Sequence, residues 1–564
     1  MSTSFSSSSK NYKPLFYFIL AWSVINILQS CFTGMDGDET YYWTYSQSLQ
    51  WGYFDHPPMV ALSIKLGELF HHGPFFTRMG TILFSSATVY FGFKALPEKL
   101  QNVQWYVLIF SSVLIFHIYG FITTPDASLL FFTAIFFYAY KSYLQKDDFS
   151  NIIFLSFTII GLMYSKYHGV LPVFFTFLSN PKLIFKRSAW SVILIAILFF
   201  IPHLWWQYEH DWPTVRYHLF ERNKGNYSID KTTNYILGQL LIFGPLTTIV
   251  ALIAILNRKL KGDIYLRAHK VTFFGVLLFF LLSSFSKNVE PHWTLTAGIS
   301  FVVLTMQLIQ TSTEKFRKIF SRLAVINIFL IVITRIVVAF PFYPANRIDR
   351  LQVQIYSKEW ADSLYKHAAG TPVVFVDNYT YPALYRYYHP DQLSTCYSSV
   401  YYRKNNFNLE KEEAYNNRMV YAIRKIKIAG DDIEVNSDYV PTFLHRVDSF
   451  KAITGLRIQW LNKIKEAKKS QNISVELELM NPMGYSVNGH NLFLNYTLFK
   501  SKDDYTTSEN IPVTEKELQP GYKKNVSIPI HAPATEGKYR LIFSFNEPSF
   551  GPTFASSFYE ITVK

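Results

Sequence analysis

The stretch GDETYYWTYSQSLQWGYFDHPPMVAL, residues 37–62, starts a few positions after a hydrophobic run at 15–32 that is long enough to cross a bilayer as a helix. It sets Asp38, Glu39, Asp55 and His56 among aromatic side chains where the chain leaves the membrane. No small-residue cleavage site follows the first run, which is therefore expected to stay as an anchor rather than be removed as a signal peptide. Downstream, PPMVALSIKLGELF at 57–70 opens on two prolines that fit a helix start, and Met59, Leu62, Leu66, Leu69 and Phe70 share one face. That pattern predicts a helix lying on the membrane surface.

Working outward, the 564 residues are 49% hydrophobic and 18% aromatic, and the apolar ones concentrate in the first part of the chain, to an extent one soluble core does not need. Apolar runs recur around 15–32, 79–96, 103–122, 127–144, 189–206, 234–256, 271–286, 293–310 and 320–341. The interval 151–180 is interrupted by SKYHG at 165–169, which predicts two shorter spans joined by a polar turn and a total of about eleven. Basic residues accumulate in alternate loops, at Lys94 and Lys99, at Lys141 and Lys146, at Lys182 to Arg187, at Arg258 to Lys270 and at Lys315 to Arg322. With those loops inside, 33–78, 123–126, 164–168, 207–233, 287–292 and everything after about 342 lie outside. The net charge of +14 is then mostly this bias, and with no zinc knuckle or basic helix in the chain nucleic acid is not a partner. Cys31 and Cys396 form no disulfide framework.

Past residue 345 the composition turns polar. TPVVFVD at 371–377, a Tyr-rich helical stretch at 380–388 and RMVYAIR at 418–424 read as a small exterior α/β module over 346–444. From 445 to 564, alternating runs such as ISVELEL, LFLNYTLF, NVSIPI and KYRLIFSF, separated by Pro, Gly and Asn turns, read as an immunoglobulin-like β-sandwich. It contains no cluster suited to catalysis, and a binding or shielding role is expected of it.

Each predicted exterior loop brings ionisable groups to the same face. TTPDAS brings Asp126, MYSKYHG brings Lys166, Tyr167 and His168, the segment 205–225 brings Arg216 and Arg222, and SKNVEPHW brings Glu290 and His292. Taken singly, Asp126 fits a helix cap and Lys166 a snorkelling side chain. Together, carboxylates beside exterior cations suit a reaction in which an acceptor loses a proton while a phosphate is held as it leaves. No cofactor is assigned, and a divalent metal held by Asp38, Glu290 and His292 is the one candidate.

The segments DETYYWTYSQSLQWGYFDHPPMV, TTPDASLLFF, GLMYSKYHGVL, IPHLWWQYEHDWPT and NVEPHWT, in this order within residues 14–345, resemble the bacterial branch of glycosyltransferase family 39 and the aminoarabinose-transferase group, relatives of protein O-mannosyltransferases in the GT-C superfamily. The resemblance implies a mainly α-helical polytopic membrane protein with the GT-C fold and about 11 to 13 transmembrane helices. It implies an inverting transferase that takes a sugar from a polyprenyl-phosphate donor and passes it to a lipid, glycan or protein acceptor on the exterior face of a bacterial inner membrane. By the same resemblance Asp38, Glu39 and Asp126 match the family's acidic positions, Lys166 matches a basic residue suited to the donor phosphate, and His56 stands where aminoarabinose members often have Lys. Asp38 is the expected general base, and the aromatics of 41–45 the expected sugar-stacking wall. The competing reading is a transporter or flippase of a lipid-linked precursor, which many spans would also suit.

Overall fold

Six helices in the computed structural model are long and apolar enough to cross a bilayer: Lys13–Phe32, Pro125–Gln145, Arg187–Glu209, Ile264–Ser284, Pro291–Thr311 and Glu314–Ala339. The structure describes residues 12–218, 227–257, 263–501 and 504–564. Contacts group it into two units, Met1–Ile355 and Tyr356–Lys564. Helix starts follow their local chemistry. Pro14, Pro74 and Pro125 sit in first turns, where a missing N–H leaves no bond unmade, and Asn102, Asp148 and Asp263 cap their helices through side-chain oxygens.

Several expected spans take other shapes. The run 234–256 is two helices, Ile229–Ile242 and Pro245–Asn257, bent by 100° at Gly244, whose φ of +98° only glycine adopts freely. The run 103–122 breaks into Val103–Ser111 and Leu114–Ile118 around extended Val113. The two breaks meet, since a Cβ on Gly244 would lie 2.6 Å from the Ser112 carbonyl oxygen. His117 Nε2 lies 2.9 Å from the Ser111 carbonyl freed by the break, so irregular backbone is tolerated where protein supplies its partners. The helix Pro74–Ala95 carries Arg78 and Lys94 and is not among the six apolar ones. Of the expected eleven to 13 spans, six are therefore long apolar helices, and the bent pair makes a seventh. At 151–180 the predicted interruption holds: Phe149–Ser165 and Val170–Ser179 are separate helices joined by Lys166 and a 3-10 turn.

The expected helix forms as Met59–Glu68 behind Pro57 and Pro58, with Val60, Ala61 and Ile64 buried, Leu62 and Leu66 exposed, and Leu69 and Phe70 exposed just beyond its end. It packs on Pro74–Ala95 at backbone distance, because a Cβ on Gly80 would lie 2.3 Å from the Ser63 carbonyl oxygen.

The second unit holds a five-stranded sheet ordered Ser394–Tyr397, Val373–Val376, Val420–Arg424, Thr442–Val447, Ile433–Val435, the first three parallel and the last two antiparallel. A sandwich follows, in which Asn472–Met480 buries Val475, Leu477 and Leu479 and turns Glu476 and Glu478 outward, as its alternation predicts. These side chains share one apolar core with Phe543 and Phe545 of the facing sheet and with Val374, Val420 and Ala422 of the α/β sheet.

Candidate active site

The helix Gly37–Gln47 starts with a capping box. Asp36 accepts the Asp38 N–H at 2.9 Å, and Glu39 accepts the Asp36 N–H at 3.2 Å. One residue apart on this helix, Asp38 and Glu39 face opposite surroundings. Asp38 is exposed at the helix N-terminus, where the dipole favours its charge. Glu39 is fully buried and is bound by Arg78, with Nε to Oε1 at 2.8 Å and Nη2 to Oε2 at 2.5 Å, and by the Thr123 N–H at 2.8 Å. Arg78 spends its remaining donors on the carbonyls of Ser30, Thr33 and Gly34. Glu39, expected as a second catalytic acid, is thus sealed inside an anchor that ties the loop to two helices.

The aromatic run is also interior rather than a wall. Tyr41, Trp43 and Tyr45 are each 2% exposed or less, and Tyr45 stacks on Tyr53 at 4.2 Å. The hydroxyls of Tyr41 and Tyr45 donate to Asp55 Oδ2 at 2.7 and 3.3 Å, which fixes the loop next to His56. Tyr42 alone of the run is half-buried, and its ring faces His56 at 5.6 Å.

A second group forms around Asp126, at the start of the helix Pro125–Gln145. Lys166, in the break between Phe149–Ser165 and the next turn, donates to both Asp126 oxygens at 2.9 Å. His292 Nε2 lies 3.9 Å from Asp126 Oδ2. His56 stands within electrostatic reach of Lys166, His218, Asp126 and His168, and burial first, then the Lys166 ammonium, holds its imidazole well below its ordinary 6.5. Nδ1 of His56 and Nδ1 of His168 are buried with no hydrogen-bond partner among the described residues. The two groups meet near Tyr119, which Asp126, Arg350, Asp38 and Glu290 all reach electrostatically.

Tyr167 and Arg216 have other partners, whereas Glu290 reaches His292 and Tyr119 electrostatically. The Tyr167 hydroxyl is taken up by His203 Nε2 at 2.9 Å and by the Gln207 amide at 3.1 Å, in a network that fixes the 51–53 backbone. Arg216 is exposed and pairs with the still more exposed Asp211 at 3.8 Å. Glu290 is exposed. Arg222 lies outside the described residues. Among the described residues no group of three or more His, Cys, Asp or Glu side chains is arranged to hold a metal, so Asp38, Glu290 and His292 do not form the expected candidate site.

Three residues escaped the sequence reading. Arg78 carried a signal, a cation at the outer start of a predicted span, against the positive-inside bias. Asp36 precedes the motif and is pushed up to about 7 by burial and by the charges of Asp38 and Glu39, with the Asp38 N–H and Arg350 opposing. Arg350, far along the chain, is brought here by the helix Asp349–Ala368, whose Gln354 carbonyl packs on Gly34.

Six long apolar helices, with a buried ammonium–carboxylate pair and an exposed carboxylate at and between their ends, are the build of a multi-spanning membrane protein, and its fold is the GT-C fold of the solved structures it superposes on. Over 77% of this chain and 98% of the other, the structure superposes on ArnT from Cupriavidus metallidurans bound to undecaprenyl phosphate, with a TM-score of 0.56 at 12% identity. The apo form of the same protein superposes with a TM-score of 0.55 over 76% of this chain. Residues 55–206 match the sequence model of the family described as dolichyl-phosphate-mannose-protein mannosyltransferase. Lipid A galacturonosyltransferase RgtD of Rhizobium johnstonii is 23% identical over 303 residues, 49% of this chain and 61% of that relative's length. The family that the five motifs resemble and the proteins that the comparisons find similar to this chain are thus of the same kind.

Proposed function

We propose that this chain is an inverting membrane glycosyltransferase that moves a sugar from a polyprenyl-phosphate donor to an acceptor hydroxyl or amine on the exterior face of the inner membrane. The observation that carries the reading is Lys166. An ammonium has three N–H donors, two go to Asp126, and the described residues give the third no partner. A donor phosphate supplies that partner, and neutral His56 and His168 stand beside it as further hydrogen-bond donors. The likeness in fold to ArnT bound to undecaprenyl phosphate supports a polyprenyl-phosphate lipid as partner.

In this mechanism Asp38 takes the proton from the acceptor as its oxygen or nitrogen attacks the anomeric carbon. The bond from that carbon to the phosphate oxygen breaks on the opposite face, and the lipid phosphate leaves with the electron pair. Lys166 offsets the charge on that phosphate, Asp126 holds Lys166 in place, and Glu39 with Arg78 fixes the helix that presents Asp38. The exposed Leu62, Leu66, Leu69 and Phe70 of the surface helix border a lateral route for a lipid donor. Of the acceptor classes lipid, glycan and protein, the relative active on lipid A favours a lipid-borne one. Two structural divisions of the exterior part, 346–444 and 445–564, accompany the catalytic region 1–345 in this reading. The test is release of polyprenyl phosphate when purified protein is offered a panel of polyprenyl-phosphate sugars. The reading predicts release from at least one member, and a folded protein that moves such lipids across vesicles without cleaving any would be a flippase instead.

A further inference from the structure

In the unit Tyr356–Lys564, the strand Val373–Val376 is flanked by two parallel neighbours, Ser394–Tyr397 and Val420–Arg424. The chain goes first to one neighbour, through the helix Thr380–Tyr388, and then to the other, so the strand order reverses at the central strand. In open sheets of this kind, ligands bind in the crevice outside the carboxyl ends of the strands at the point of reversal.

Three observations single out this edge. Asp377 and Asn378, which follow the central strand, both hold left-handed backbone angles, φ 52° and 101°. Non-glycine residues keep such angles only where their surroundings impose them, and such positions cluster at ligand sites. Here the imposing contacts are the Ser399 N–H and hydroxyl, each 2.7 Å from Asp377, and the Thr380 N–H, 2.9 Å from the Asn378 side chain.

Second, the loop after Ser394–Tyr397 brings Tyr402 and Arg403 to Tyr379. The guanidinium lies over the Tyr379 ring at 4.8 Å, and the two tyrosine rings are 6.5 Å apart. Third, Lys425, one residue beyond the other flanking strand, lies over Tyr381 at 5.2 Å. Tyr379, Tyr381, Tyr402 and Arg403 are half-buried, and Lys425 is exposed. Of the charged groups that oppose these cations, Asp377 commits both oxygens to Ser399 and, with Glu547, offsets Arg424, whose own donors are turned to the Ser549 carbonyl.

The edge presents aromatic faces with Arg403 and Lys425 against them. Pyranose rings offer C–H faces to aromatic side chains, and carboxylate substituents offer a partner to a guanidinium fork. We propose that the carboxyl edge of this sheet binds an anionic saccharide, with Tyr379 and Tyr402 as stacking surfaces and Arg403 as the carboxylate ligand. The binding stands on this unit alone, whereas its role, holding the acceptor glycan for transfer, rests on the transferase reading above.

The experiment is calorimetric titration of the full-length protein in detergent with trigalacturonate, and with maltotriose as its neutral counterpart. Saturable binding of trigalacturonate is expected, about tenfold tighter than maltotriose and weakened about tenfold by Arg403→Gln or Tyr379→Ala at unchanged thermal midpoint. Lys425→Gln, at an exposed position, is expected to weaken it severalfold and serves if the other variants lose their fold. No saturable binding by the wild-type chain, equal binding of the two saccharides, or full binding by every folded variant would overturn the proposal. Donor cleavage without acceptor is measured on the same samples. Release of polyprenyl phosphate with no saccharide binding refutes this site alone, and binding with no release refutes the transferase role while leaving the site.

Discussion

Two buried ion pairs, Glu39–Arg78 and Asp126–Lys166, differ in how completely their hydrogen bonds are made. Glu39–Arg78 is closed: the guanidinium meets both carboxylate oxygens and three carbonyls, the carboxylate also accepts two backbone N–H groups, and both side chains are fully buried. Asp126–Lys166 is open. Its ammonium keeps a donor that no described residue takes, its side chains retain 5% and 8% exposure, and His292 Nε2 lies 3.9 Å from its carboxylate. A pair whose hydrogen bonds are complete serves to stabilise a loop, whereas a pair with a donor in reserve is what the proposed mechanism requires for holding the donor phosphate.

The comparison fails most visibly if Arg78→Ala folds normally. Removing one partner of a buried, hydrogen-bonded pair costs about 3–5 kcal/mol, so this variant should lose most of its folded yield in detergent by size-exclusion chromatography and thermal melting. A double variant sharpens the contrast. Glu39→Gln/Arg78→Met should not recover, because three carbonyls lose their donor, while Asp126→Asn/Lys166→Met should melt close to the wild type. That second pair should nevertheless lose about 10²–10³-fold in donor turnover, the usual effect of deleting a charge-stabilising group.

Smaller effects follow from pH. His56 titrates in the folded chain well below 6.5 because of burial and Lys166, so the unfolded chain binds the extra proton first. The fold should therefore lose stability as pH falls through and below 6.5, and His56→Gln should blunt that loss in melting curves between pH 7 and 5. Asp36 has the opposite sign. Its carboxyl is raised from 3.8 to about 7, so its contribution is present at low pH and lost as pH rises through 7. Asp36→Asn, which still caps the helix, should raise the melting temperature more at pH 8 than at pH 5.

Much of this was legible in the sequence. Hydropathy and loop charge pointed to the membrane region, SKYHG marked the break that carries Lys166, the proline pair began the helix Met59–Glu68, and strand alternation pointed to the buried and exposed faces of Asn472–Met480. Individual fates were not legible. Asp38 and Glu39 are adjacent, and only the position of Arg78, 39 residues on, decides which is sealed. Tyr167 is adjacent to Lys166 yet turns to His203 and Gln207, since consecutive residues of a turn face different neighbours. The aromatics of 41–45 read as a sugar-stacking wall because composition cannot distinguish an exposed surface from a core built around Asp55. The breaks at Val113 and Gly244 stabilise each other through a contact more than a hundred residues apart in sequence, and neither run signals it alone.

The most direct measurement is the initial rate at which purified protein releases polyprenyl phosphate from its best donor in the presence of acceptor extract, for the wild type, Asp38→Asn and Glu39→Gln. The account predicts release by the wild type, its loss in Asp38→Asn at unchanged melting temperature, and in Glu39→Gln a rate that falls only in step with the folded fraction. Full turnover by folded Asp38→Asn would contradict it.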